Sequence, residues 1–211
     1  MVLYLSIIGV CILILSTVLT FAFGANFFYV LGFTALATVI VIVVDALVAT
    51  VCRLLPAKFA NHEDGIYTVS AKEKKFYEKL KIRKWKDKIP EIGHFTGFRK
   101  NKIADPKSPE YIDRFLLEAC YGELGHFWIL FIGFSILLLG LIPVFPSWGL
   151  WLAISVPVSI INICLNLPSI FTLRYNCYKL EILRKNLLKK QGRTEKSQAE
   201  SGNEGKTEKI A

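Results

Sequence analysis

Lysine and arginine are absent from two long stretches of this 211-residue chain, residues 1–52 and 115–173. All 26 lie in two blocks instead, 16 of them within 53–114 and 10 within 174–209. The formal net charge is +9, and 53% of the residues are hydrophobic. Since a soluble domain of this length cannot bury so much apolar surface, the composition predicts an integral membrane protein.

Several patterns of soluble chemistry are also missing. The chain has no phosphate-cradling glycine loop, no Gly-x-Ser-x-Gly and no Cys-x-x-Cys, the usual marks of nucleotide, hydrolase and redox sites. Its five cysteines show no spacing typical of a disulfide framework, so we expect free thiols. The basic blocks lack a recognition fold, and we therefore expect no nucleic-acid binding.

What the chain does contain is four apolar runs, each long enough to cross about 30 Å of hydrocarbon as a helix. These runs cover residues 2–23, 27–51, 127–145 and 148–173. Short uncharged turns at 24–26 and 143–147 join the members of each pair. The sequence therefore predicts an all-α integral membrane fold with two transmembrane hairpins, residues 1–52 and 127–173.

The charge distribution predicts the orientation, because lysine and arginine near span ends resist translocation. With four spans, the amino terminus, the central segment and the carboxyl terminus share one side, and both basic blocks lie there. We therefore expect a multi-pass protein of the cell membrane with both termini cytoplasmic. A cleaved signal peptide is the alternative for residues 1–24, although the segment lacks a basic n-region and its apolar stretch is long.

Between the hairpins, residues 53–126 predict a basic, helical cytoplasmic subdomain. Residues 70–73 form a capping box that opens a basic helix through about Lys86, and residues 90–93 contain the proline and glycine that end it. A second helix begins at Ser108–Glu110, with serine at the cap and proline in the first turn. We expect this second helix to continue unbroken into the third span.

The carboxyl-terminal part divides in two. Residues 174–190 continue the fourth span as a juxtamembrane helix. Residues 191–211 are rich in Lys, Glu, Ser, Gly and Gln and have almost no apolar side chains, which predicts a disordered tail.

The helix leading into the third span carries titratable residues on its apolar face. At 100° per residue, the apolar positions of 111–119 fall within an arc of about 140°. His126 lies in the middle of this arc, Glu123 near one edge, and Glu118 just outside the other. Because burying an unpaired charge here costs several kcal/mol, these residues are partnered or functional.

Glu123 and His126 are three residues apart and can reach each other on a helix, which would fix the tautomer of the imidazole. A structural pair at the bilayer edge is an equally open interpretation. Glu-x-x-His is also a metal-ligand spacing, but such sites need a second copy. This chain has one copy, so we expect no metal.

The fourth span contains a second polar group. Asn162 and Asn166 share a helix face, and Pro168 frees a backbone carbonyl nearby. Interhelical hydrogen bonding is the commoner use of membrane asparagine, whereas Arg174 can snorkel to the interface or bind an anion. Asp45 in the second span is the other costly residue, and we expect it to pair with Arg53 or another cation on the inner side.

Four motifs follow one another along the chain in a characteristic order. They are Lys84–Gly93, then Glu118, Glu123 and His126, then Asn166-x-Pro168, and then Arg174-Tyr175-Asn176. Their order and spacing resemble the glycosyl-4,4'-diaponeurosporenoate acyltransferase family, which completes staphyloxanthin-type carotenoids. The similarity covers about residues 76–184 and leaves out the first hairpin.

This resemblance implies transfer of a fatty acyl group to a sugar hydroxyl of a membrane glycolipid. On that basis we hypothesise that His126, oriented by Glu123, is the general base. Asn166 and Arg174 would stabilise the oxyanion or bind the thioester and phosphate end of the donor, and Glu118 would hydrogen-bond the sugar. Acyl transfer of this kind needs no cofactor.

The resemblance also implies partners and a location. Trp85, Lys86, Tyr175 and Asn176 would contact substrate through their motifs. The cytoplasmic cations would attract an acidic acyl donor, either acyl-CoA or acyl carrier protein. The acceptor would be a glycosylated lipid or carotenoid in a bacterial cell membrane, and the surrounding lipids would be further partners.

Two other functions stay open from the residues. One is a membrane transferase of another small group, such as methyl. The other is a non-catalytic membrane scaffold, in which the Glu123–His126 pair is structural and the basic loop binds anionic lipid.

Overall fold

The computed structural model describes the backbone of residues 2–89 and 103–207, and the side chains of 5–89 and 103–193. Its six α-helices are α1 Val2–Phe23, α2 Phe27–Leu54, α3 Ala71–Lys79, α4 Ile82–Trp85, α5 Pro109–Ile132 and α6 Trp148–Thr207. Three 3-10 segments cover Ala57–Ala60, Lys86–Lys88 and Gly133–Leu141. Within the described ranges all regular structure is helical, which confirms the predicted all-α class.

Four helical stretches are long and apolar enough to span a membrane. They are Leu5–Phe23, Phe27–Leu54, Pro109–Leu141 and Trp148–Arg193 among the described residues, and each overlaps one of the four apolar runs predicted from the sequence. Large apolar side chains such as Phe21, Leu47 and Phe131 are exposed on them. Because the hydrophobic effect would not leave so many in water, these surfaces suit contact with lipid.

The third span changes from α-helix to a nine-residue 3-10 helix at Gly133, although 3-10 runs beyond three or four residues are uncommon. Side chains of α6 hold this segment. The Trp151 indole Nε1 donates to the Ile136 carbonyl at 3.0 Å, and the Ser159 hydroxyl donates to the Gly133 carbonyl at 3.2 Å. Trp151 and Ile136 are both buried in the largest apolar cluster of the membrane region.

The basic helix predicted from residue 70 to about Lys86 is interrupted. Ser70 Oγ does accept from the Glu73 N–H at 3.1 Å, as the capping box predicts, but α3 ends at Lys79. Lys81 then adopts a left-handed conformation with φ 52°, and the short helix α4 follows. Lysine is a good helix former, so the sequence contains no signal for this break. The predicted end at residues 90–93 lies outside the described residues.

Helix α5 begins as predicted and continues without a break into the third span. The Ser108 hydroxyl accepts from the Tyr111 N–H at 3.1 Å, with Pro109 at the first position. Helix α6 is longer than predicted, because its backbone is helical to Thr207. Its backbone therefore continues past residues 174 and 191, and the division into a juxtamembrane helix and a disordered tail stays a prediction.

The segment between α2 and α3 lies against α5 and the extension of α6. The Tyr121 hydroxyl on α5 donates to the Leu55 carbonyl at 2.7 Å. On the other side, the His62 ring Nδ1 is 2.5 Å from the Glu181 carboxylate of α6. The long α6 thus carries contacts both inside the span and beyond it.

This packing generates a test at Gly140. A methyl group there would lie 2.8 and 2.9 Å from carbons of the Trp148 ring, and closer still to the fully buried Trp151. We expect Gly140→Ala to lower the unfolding free energy by about 1–3 kcal/mol through overpacking, measured as a lower thermal midpoint in detergent. Gly149→Ala is the matched control, because no atom lies within 4 Å of its added methyl. Equal midpoints for the two variants would contradict the packing described.

Candidate functional site

A first polar cluster joins α2, α5 and α6 inside the membrane region. The Asn162 amide Nδ2 donates to Asp45 Oδ1 at 3.1 Å, and the Asn166 Nδ2 lies 3.4 Å from Asp45 Oδ2. Asn166 also donates to the carbonyl and to Oδ1 of Asn162, at 3.0 and 2.9 Å. On its other side, Asn166 Oδ1 is 2.8 Å from His126 Nδ1. These four residues form the amide cluster.

The amide cluster leaves one nitrogen of His126 available. In a neutral imidazole one nitrogen donates and the other accepts. Because Nδ1 faces the oxygen of Asn166, it is the donor, and Nε2 carries the lone pair. Nε2 makes no hydrogen bond within the part of the chain that the structure describes. The arrangement suits a group that takes a proton at Nε2.

A second polar cluster surrounds Arg174, which lies about two turns of α6 beyond Asn166, towards the charged end of the span. The guanidinium bonds to both carboxylate oxygens of Glu73 and to one of Glu123. It also donates to the carbonyls of Ile66 at 2.9 Å and Thr68 at 3.5 Å. All five of its N–H groups therefore have acceptors in the protein. These residues form the arginine cluster.

Electrostatics keep the Glu73 end of this cluster charged. Burial acts to raise the pKa of the Glu73 carboxyl, but hydrogen bonds from Arg174 and Tyr77 outweigh it and hold that pKa below its usual value. Burial raises the pKa of the Tyr77 hydroxyl, and its hydrogen bond to Glu73 raises it further. At neutral pH, Glu73 is thus a carboxylate and Tyr77 a neutral donor.

The predicted Glu123–His126 pair does not form. Glu123 is buried, with 7% of its surface exposed, and it binds Arg174, whereas His126 binds Asn166. Both α5 side chains do point towards α6, as the helical wheel predicts. They meet different partners because Asn166 and Arg174 lie two turns apart on α6. Glu123 Oε2 is buried and has no hydrogen-bond partner among the described residues.

The predicted partner of Asp45 is also different. Asp45 bonds to two asparagines of α6, whereas Arg53 lies 3.8 Å from Glu118. The sequence contained the signal for this contact, since a costly carboxylate in one span and two amides in another are complementary. The sequence does not give the register between the spans, which decides the partner of Asp45.

The remaining predicted site residues lie together beside the arginine cluster. Lys86 Nζ donates to Asn176 Oδ1 at 3.3 Å. Tyr175 is buried in an apolar cluster with Tyr77, and Trp85 packs against that cluster. The structure therefore brings the basic segment and the Arg-Tyr-Asn motif into contact. Glu73 and Tyr77 are the members that sequence analysis missed, because it treats Glu73 only as part of the capping box and gives Tyr77 no role.

Two cavities adjoin these clusters. One of about 40 Å³ lies between α1, α2 and α6 and is lined by apolar side chains and by Asn162. The other, of about 130 Å³, lies beside the arginine cluster, with Thr68, Cys120 and Cys177 in its wall. The five cysteines are free. Among the described residues, no three His, Cys, Asp or Glu side chains come together as a metal-binding group.

Comparison with known proteins places this site in a family. The family model for glycosyl-4,4'-diaponeurosporenoate acyltransferase matches residues 59–186, more than half of the chain. No curated protein and no solved structure matches this chain. The matched range includes His126, Asn166 and the arginine cluster, whereas Asp45 lies before it. This protein belongs to the glycosyl-4,4'-diaponeurosporenoate acyltransferase family, and it is a membrane acyltransferase of carotenoid biosynthesis.

Proposed function

We propose that this protein transfers a fatty acyl group from a thioester donor to a sugar hydroxyl of a membrane glycolipid, with His126 as the general base. The observation that carries the proposal is the hydrogen bond between His126 Nδ1 and Asn166 Oδ1, 2.8 Å long. It leaves Nε2 as the acceptor nitrogen, and a base of this kind supplies about 10²–10⁴-fold in rate.

The proposed reaction needs only this base and correct positioning. Nε2 takes the proton of the sugar hydroxyl while its oxygen attacks the thioester carbonyl. The tetrahedral intermediate then collapses, the carbon–sulfur bond breaks, and the leaving thiolate takes the proton from the imidazolium. The products are a sugar ester, a free thiol and a neutral histidine ready for another cycle.

For two residues we propose roles that differ from those suggested by the sequence. Asn166 directs its N–H groups to Asp45 and Asn162, and Arg174 uses all of its N–H groups within the arginine cluster. Neither has a donor left for an oxyanion or a phosphate. We therefore assign Asn166 to orienting His126, and Arg174 with Glu123 to holding α5 against α6 and α3.

The acceptor reaches His126 from the bilayer in this proposal. Phe127 and Trp128, which follow His126, are each 46% exposed on the surface that suits lipid. A glycosylated carotenoid has a polar sugar and an apolar chain, so its sugar lies near the membrane boundary. Glu118 is half-buried on α5 and lies 3.8 Å from Arg53. We propose that it hydrogen-bonds the sugar.

The donor comes from the cytoplasm in this proposal. The 16 cations within 53–114 would attract an anionic donor, acyl-CoA or acyl carrier protein. We propose that the anionic carrier part of the donor binds at Trp85, Lys86, Tyr175 and Asn176, because they lie together beside the arginine cluster. The thioester of the bound donor would then extend along α6 towards His126.

The proposal requires two transmembrane hairpins with both termini and the basic segment on the cytoplasmic side. In a cysteine-free background, we expect Ser147→Cys to react with a membrane-impermeant maleimide on intact cells. Lys72→Cys should react only after permeabilisation, because cations near span ends stay inside. Both side chains are exposed. The opposite labelling pattern would contradict this topology.

A turnover assay tests whether His126 is the general base. Purified protein receives long-chain acyl-CoA or acyl carrier protein with a panel of glycosylated lipids, and ester product is measured. We expect His126→Gln to lower kcat about 10²–10⁴-fold, because it removes the proton acceptor. His62→Gln is the matched control, since His62 pairs with Glu181 outside both polar clusters. It should retain activity near that of the wild type.

Either of two results would count against the proposal. A His126→Gln protein that keeps its kcat would show that another group takes the proton. Methyl transfer without acyl transfer by the wild type, or binding of anionic lipid without any turnover, would favour the two other functions that the sequence leaves open.

A further inference from the structure

Asp45 is the only Asp, Glu, Lys or Arg side chain in residues 1–52. A carboxylate inside a membrane helix is costly unless it is paired, and it is a marker of function when it is retained. Its two oxygens accept from Asn162 and Asn166 on the neighbouring α6. It makes no ion pair within the described residues. Its contacts therefore suggest that the carboxylate orients the two amide side chains.

The amide cluster transmits that orientation to His126. An asparagine side chain can turn over and exchange its oxygen for its nitrogen, whereas a carboxylate accepts only. The oxygens of Asp45 therefore draw both Nδ2 groups towards α2. With its nitrogen held, Asn162 offers Oδ1 to Asn166, and Asn166 in turn offers Oδ1 to His126.

This chain of donors and acceptors has one direction. If Asn166 were reversed, its Nδ2 would face His126 and its oxygen would face the oxygens of Asp45 and Asn162. His126 would then accept at Nδ1 and carry its proton on Nε2, where it could not act as a base. The Asp45 carboxylate has no hydrogen to donate to the oxygen of a reversed Asn166, so it excludes the reversed orientation.

We propose that Asp45 is a positioning residue for acyl transfer, which sets the tautomer of His126 through Asn162 and Asn166. This inference rests on the proposed function, because it assumes that Nε2 of His126 takes the proton. It assigns a catalytic contribution to α2, which lies outside the matched residues 59–186.

The packing of α2 supports this assignment. One helical turn after Asp45, the Ala49 Cα would be 3.6 Å from a methyl group at Gly125 of α5. The two backbones thus approach closely one residue before His126. Helix α2 also contacts α6, so Asp45 lies where the three helices meet.

A double-mutant cycle tests the inference. The variants are Asp45→Ala, Asn166→Ala and the combination, each measured for kcat and KM. If Asp45 acts through Asn166, its removal lowers kcat about 10- to 100-fold, as loss of an outer partner of a functional imidazole does, with KM within about twofold. In the Asn166→Ala background the same change should cost less than about twofold, because coupled residues are not additive.

Controls separate this mechanism from a loss of stability. Thr50→Val, also on α2, removes a hydroxyl that bonds only to the Ala46 carbonyl of its own helix, and it should leave kcat unchanged. Asp45→Asn serves if Asp45→Ala fails to fold. It keeps the size of the side chain but turns an N–H towards one of the two amide donors, so kcat should also fall.

The outcomes distinguish the two proposals. An unchanged kcat in Asp45→Asn and Asp45→Ala, or a loss that adds fully to that of Asn166→Ala, would overturn the positioning role alone, provided that His126→Gln is inactive. An active His126→Gln protein would overturn the proposed base, and the role of Asp45 with it.

Discussion

Polar side chains inside a membrane protein must find their partners within the protein, and in this chain helix α6 supplies them. Asn162 and Asn166 bind α2 and α5 at one level, and Arg174 binds α5 and α3 at the next. Apolar contacts among membrane helices gain little over contacts with lipid. The specific register of the helices therefore depends on these polar contacts.

The two levels have different consequences. The guanidinium of the arginine cluster has no free donor, so the cluster acts as a fixed joint between α3 and the spans. The amide cluster is open at one end, because His126 Nε2 bonds to none of the described residues. A proton acceptor close to a rigid joint suits the proposed proton transfer, because the base must be held in one geometry.

The location of the amide cluster is compatible with the two substrates that we propose. His126 lies where α5 enters the span, next to residues exposed on the lipid-facing surface. The basic segment contacts α6 through the hydrogen bond between Lys86 and Asn176. In the proposed reaction, a water-soluble thioester and a membrane-dissolved sugar lipid would thus meet without either one crossing the bilayer.

Sequence predicted what depends on local signals and missed what depends on register. The four spans follow from apolar length, and the start of α5 follows from the Ser108 cap. The contact between Glu73 and Arg174 joins residues 101 apart, and that between Asp45 and Asn162 joins residues 117 apart. The spacing of residues within one helix does not determine how far that helix is shifted along its neighbour. The sequence therefore predicts the wrong partner for Glu123.

The tautomer of His126 is the central claim, and nitrogen-15 NMR of the protein labelled at histidine measures it directly. The chain has three histidines, and His126→Gln identifies the signal concerned. At neutral pH we expect this ring to show a protonated Nδ1 and an unprotonated Nε2. A ring with its proton on Nε2 would contradict the account, because the nitrogen available to substrate would then be a donor and not a base.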